Sequence, residues 1–63
     1  MDDVFVYLSK QLTEKMKLLE EDLVKGKASD IGEYKHACGV YRGLMIANDV
    51  LLTTKERMEE SND

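Results

Sequence analysis

Gly26-Lys27-Ala28-Ser29-Asp30, followed three residues later by Glu33, is the stretch that decides the fold of this 63-residue chain. Glycine is the residue best suited to leave a helix in a left-handed conformation. Ser29 and Asp30 are N-cap candidates, because their short oxygen-bearing side chains accept from the free amides of a first helical turn. The Asp30/Glu33 spacing suits a reciprocal capping arrangement, with aspartate in place of the usual serine or threonine. One helix therefore ends and another begins within a few residues. A connection this short sets consecutive helices antiparallel and adjacent.

On the N-terminal side of this break, Phe5, Leu8, Leu12, Met16, Leu19 and Leu23 recur at spacings of three or four, which lines them along one helix face. Asp2 or Asp3 suits the first turn as cap and as partner of the positive dipole end. The spacing predicts helix one from about residue 3 to 25, a turn over 26–29 and helix two from about 30 to 59. At ~1.5 Å per residue the second helix overhangs the first by roughly 10 Å. Residues 60–63 are acidic at the unfavourable end of the dipole and are expected to fray. The chain contains no proline, and its Leu, Met, Lys, Glu and Ala content favours long, unbroken helices.

Helix two is broader in its apolar character. At roughly 100° per residue, Tyr34, Ala37, Cys38, Tyr41, Leu44, Met45, Leu51 and Leu52 share one wide face, the predicted cover for helix one. A separate seam of Gly39, Gly43, Ile46 and Val50 lies on a side that a lone hairpin leaves in water. Each of the two glycines costs about 1 kcal/mol of helix stability relative to alanine. Close approach of another helix is a physical reason for such a pair. The expected architecture is an all-α, antiparallel two-helix hairpin, completed into a bundle by oligomerisation or by docking on a larger protein. A core of this size supplies no more than roughly 3–5 kcal/mol by itself, and with Cys38 as the only cysteine no intrachain disulfide is available.

Composition narrows the function classes. Thirteen acidic residues against nine Lys and Arg give a net charge of −4, which repels a phosphate backbone, so nucleic acid is not the expected partner. Lys10, Lys15, Lys17, Lys25 and Lys27 are interleaved with Glu14, Glu20, Glu21 and Asp22, the pattern of a solvated mixed-charge face. No apolar run approaches the ~18 residues of a membrane span, and the acidic start lacks the basic region of a signal peptide, which places the expected location in a cytosol. The aromatics Phe5, Tyr7, Tyr34 and Tyr41 read as core or interface anchors.

Candidate chemistry is sparse. Glu33-x-x-His36 has the spacing used in di-metal helical bundles, but the acids of helix one avoid its apolar stripe, so no metal site and no cofactor are expected. Cys38, on the apolar face beside Tyr34 and Tyr41, reads as a small hydrophobe. His36, two residues away, points elsewhere on the helix, so it is no general base for that thiol. No catalytic constellation or small-molecule substrate site is legible, and the chain is not expected to be an enzyme. Asn48, the one polar residue of the wide face, either fixes register as a buried amide or sits at the edge in water.

The segments Lys25-Gly26-Lys27-Ala28-Ser29-Asp30, Glu33-Tyr34-Lys35 and Gly39-Val40-Tyr41-Arg42-Gly43-Leu44 resemble small helical-hairpin proteins encoded among the virion genes of tailed bacteriophages. The resemblance covers about residues 12 to 58 and leaves Val4-Phe5-Val6-Tyr7 outside. It implies a non-enzymatic structural or assembly role in the head or its connector, with further copies of the chain or a portal or capsid protein as partner. It also implies a location in the virion, and in the host cytoplasm during assembly. The alternative is a small acidic regulatory module that binds and inhibits a host protein such as RNA polymerase.

Overall fold

The computed structural model describes residues 2–61, with the side chains of Asp2 and Asp3 excepted, so the capping role expected of those two acids lies outside the described residues, as do Asn62 and Asp63 of the acidic tail. Within that range the chain forms two helices, α1 over Asp2–Val24 and α2 over Ile31–Ser61, and no strand. The protein is a helical hairpin, 51 × 16 × 11 Å along its principal axes.

The reversal is built from local hydrogen bonds. Gly26 adopts φ 73°, the left-handed region. Its amide donates to the Leu23 carbonyl at 3.1 Å, and the Lys27 amide donates to the Asp22 carbonyl at 3.0 Å. This pair of bonds is a Schellman motif, which satisfies the last carbonyls of α1. Where such motifs usually close with an apolar contact, this one closes with an ion pair, Lys27 Nζ to Asp22 Oδ1 at 3.2 Å. Both side chains are about half-exposed, so the pair adds little stability. On the far side of the turn the Glu33 amide donates to Asp30 Oδ1 at 2.8 Å, and the Ser29 amide donates to Glu33 Oε2 at 2.8 Å. Glu33 thus reaches one residue further back than in the usual capping box. Hydrogen bonding from Ser29, chiefly from its amide, favours the Glu33 anion and holds its carboxyl below the ordinary value of 4.5.

The two helices meet along a narrow seam. On α1 the half-buried positions of this line are Phe5, Ser9, Leu12, Met16, Leu19 and Leu23; on α2 they are Ala37, Cys38, Tyr41, Leu44, Asn48, Leu51 and Lys55. Both sets alternate steps of three and four with few departures, the heptad spacing that keeps one helix edge facing its neighbour. Ser9 Oγ donates to Asn48 Oδ1 across the seam at 2.7 Å. That bond fixes the level at which the helices pair, and the same register brings the start of α1 opposite Lys55. Residues 56–61 of α2 therefore project beyond α1. The helix continues through Glu60 to Ser61, further than the sequence reading carried it, and Ser61 Oγ donates back to the Met58 carbonyl at 3.1 Å.

No side chain of the described residues is fully buried, apolar or polar. A pair of cylinders meets along a line, so each seam residue is covered from one direction only. A bundle core requires a third or fourth helix to close over that line.

Candidate docking surface

The hairpin geometry sorts the predicted apolar residues into covered and uncovered sets. Phe5, Leu12, Met16, Leu19, Leu23, Tyr41, Leu44 and Leu51 lie in the seam, half-buried. Leu8, Tyr34, Met45 and Leu52 lie outside it and are exposed. On α1 the reason is the seam's step from Phe5 to Ser9: Ser9 takes the position facing α2, and Leu8, about 100° away around the helix, is left on the flank. On α2 the reason is width. Single-file α1 covers the half of the broad face that contains Ala37, Leu44 and Leu51, and Tyr34, Met45 and Leu52 remain on the other half.

Sequence reasoning missed Ser9 as a seam residue because an apolar neighbour stood beside it. The available signal was the regular four-three alternation through 5, 9, 12, 16, 19 and 23. It also left Asn48 open between core and edge. The structure places Asn48 half-buried between the helices and gives it Ser9 as partner, the arrangement by which one polar pair fixes register.

Gly39, Gly43, Ile46 and Val50 lie on the side of α2 away from α1, all exposed. A Cβ placed on either glycine meets nothing within 4 Å. Within the chain, then, no helix makes the close approach that the two glycines permit, and their surface is open.

The remaining candidates divide in the same way. Cys38 sits half-buried and lines an open groove of about 310 Å³ with Glu20, Leu23 and Tyr41. Partial burial, then the nearby Glu20 carboxylate, push the Tyr41 phenol above its usual range. His36 is exposed and Glu33 is engaged with Ser29. Among the described residues no group of three or more His, Cys, Asp or Glu side chains is arranged to hold a metal ion, and no helix is long and apolar enough to cross a membrane. Lys17 lines shallow depressions with Glu14, Glu20 and Glu21, one of them shared with Lys25, so this surface carries mixed charge.

What the surface offers is therefore apolar area. Val4, Val6, Tyr7 and Leu18 of α1 and Ile31, Tyr34, Met45, Ile46, Val50 and Leu52 of α2 are exposed, several by more than half. On a particle this small, that is an extensive exposed apolar surface. The chain matches no protein-family model, no curated protein and no solved structure.

Proposed function

We propose that this chain is a non-enzymatic structural or assembly protein of a tailed-phage particle, which docks by helix packing onto copies of itself or onto a portal or capsid protein. The observation that carries the docking part is the hairpin without a single fully buried side chain among its described residues. Two amphipathic helices of this length gain most of their stability from tertiary burial rather than from propensity, so a third helical surface belongs to the functional state. The particle setting rests on the resemblance of the turn and of the Gly39–Leu44 segment to virion hairpin proteins. In this reading the open face of Gly39, Gly43, Ile46 and Val50 admits a partner helix at short interaxial distance, since neither glycine presents a side chain.

Quantitative mass spectrometry of purified particles tests the assignment. The chain is expected in fixed stoichiometry with the portal or capsid protein. Its absence from the particles, together with stoichiometric capture of a host protein from lysate, would instead support the inhibitor reading.

A further inference from the structure

α2 carries a second heptad edge, left uncovered by α1 except at Cys38. Ile31, Cys38, Met45 and Leu52 are spaced by seven, and Tyr34, Tyr41, Asn48 and Lys55 form the companion column three residues on. Tyr41, Asn48 and Lys55 of the companion column also face α1, but Tyr34, Ile31, Met45 and Leu52 are exposed. Cys38 marks where this edge lies, at the groove between the helices that Glu20 and Tyr41 help to line. Beside it runs a third column at the same spacing, Lys35, Arg42, Asp49 and Glu56, all exposed. None of the four makes an ion pair among the described residues, where the one salt bridge is that of Lys27 with Asp22. The order of charges along this column is positive, positive, negative, negative.

That order is self-complementary only when the helix is laid against an antiparallel copy of itself. In antiparallel coiled coils the position following each second core residue pairs with its own equivalent on the partner helix, and charges there set orientation and partner choice. Laid antiparallel about the level between Arg42 and Asp49, Lys35 meets Glu56 of the second copy, Arg42 meets Asp49 of the second copy, and both contacts recur by two-fold symmetry. Met45 then lies near the axis, with Cys38 and Leu52 stacked to either side. A parallel pairing would set like charges at the same level in all four places.

The exposed area agrees. The chain exposes 5086 Å², whereas a compact monomer of its 7.2 kDa mass exposes about 4100 Å². The excess of roughly 1,000 Å² is close to the ~800 Å² that each partner buries in a standard protein interface.

We infer that a second copy of this chain docks on the Ile31/Cys38/Met45/Leu52 edge of α2, antiparallel and aligned by the Lys35, Arg42, Asp49 and Glu56 column, to give a four-helix bundle. This deepens the docking reading by naming a partner and a face, and it leaves the Gly39/Gly43 side of α2 free for a different protein.

Light scattering and sedimentation of the purified full chain over a concentration series test it without particles, so failure here is separable from absence in virions. The wild-type chain is expected to be a dimer. Arg42→Glu and Asp49→Arg each convert two attractive contacts into repulsive ones and should weaken dimerisation about tenfold or more, with helicity read in parallel. Mixed one to one, the two variants should form a heterodimer of near wild-type strength, because each introduced charge then faces its opposite. Gly43→Leu should leave the dimer intact. A monomeric wild-type chain, charge variants that dimerise as the wild type does, a mixture that fails to recover, or loss of the dimer in Gly43→Leu would each overturn the inference.

Discussion

Replacing Gly39 and Gly43 with alanine separates intrinsic helix stability from partner packing on one surface. Both glycines lie inside α2 with helical backbone, and an added Cβ meets nothing within 4 Å. In the purified chain the substitution therefore meets no steric penalty and removes the helix-propensity deficit of glycine, about 1 kcal/mol at each site. The two positions share no contact, so their effects should add to about 2 kcal/mol. Typical per-residue values give an unfolding entropy of roughly 130 cal/mol/K for a chain of 63 residues. Each alanine should then raise the melting temperature by about 8 °C, and the pair by about 15 °C. Thermal unfolding followed by far-UV circular dichroism, at matched concentration and with the oligomeric state checked by light scattering, measures this directly. An unchanged or lower melting temperature would refute the reasoning, because it would mean that another surface already packs against the glycines in the purified protein. If the stabilised variant is then excluded from particles, the same two glycines will have been shown to serve docking at a cost in helix stability.

Gly26 holds a left-handed conformation at φ 73°, so Gly26→Ala should destabilise the hairpin by about 1–2 kcal/mol, seen as a lower melting temperature; no loss would mean that the turn reforms without the Schellman geometry. The Ser9–Asn48 bond predicts that Ser9→Ala and Asn48→Ala each cost about 1 kcal/mol, while the double variant costs little more than either alone, giving a coupling energy near 1 kcal/mol in a double-mutant cycle. Glu33 is depressed below 4.5 in the folded state by its bonds from Ser29. Lowering the pH protonates the unfolded chain first, so this contribution is present at neutral pH and is lost as the pH falls below 4.5 and through the depressed folded value. Glu33→Gln should flatten that limb of the stability profile, and an acid limb identical to that of the wild type would count against the capping assignment.

Much of the fold was legible because it is encoded locally. Gly26 as a left-handed cap, Asp30 and Glu33 as a capping pair, and apolar steps of three and four are properties of a few consecutive residues. They determine two helices, a tight reversal and an antiparallel arrangement without reference to anything distant. The boundaries moved by a residue or two because helix ends depend on which carbonyls find partners. The Schellman bonds end α1 at Val24, and α2 runs on to Ser61, where the sequence reading stopped at about residue 59.

The seam was decided only in three dimensions. Apolar character could not choose Ser9 over Leu8, because the choice depends on the register between α1 and α2, which the Ser9–Asn48 bond sets across the hairpin. Nor could periodicity tell which half of α2's wide face a single partner helix would cover. That partition follows from the narrowness of α1's stripe: one file of side chains shields one edge of α2, and Tyr34, Met45 and Leu52 stay outside it. The sequence by itself determined that there are two amphipathic helices, joined by a turn that must reverse the chain. The tertiary structure decided which edge remains without a partner, because burial depends on the direction from which a neighbouring helix arrives.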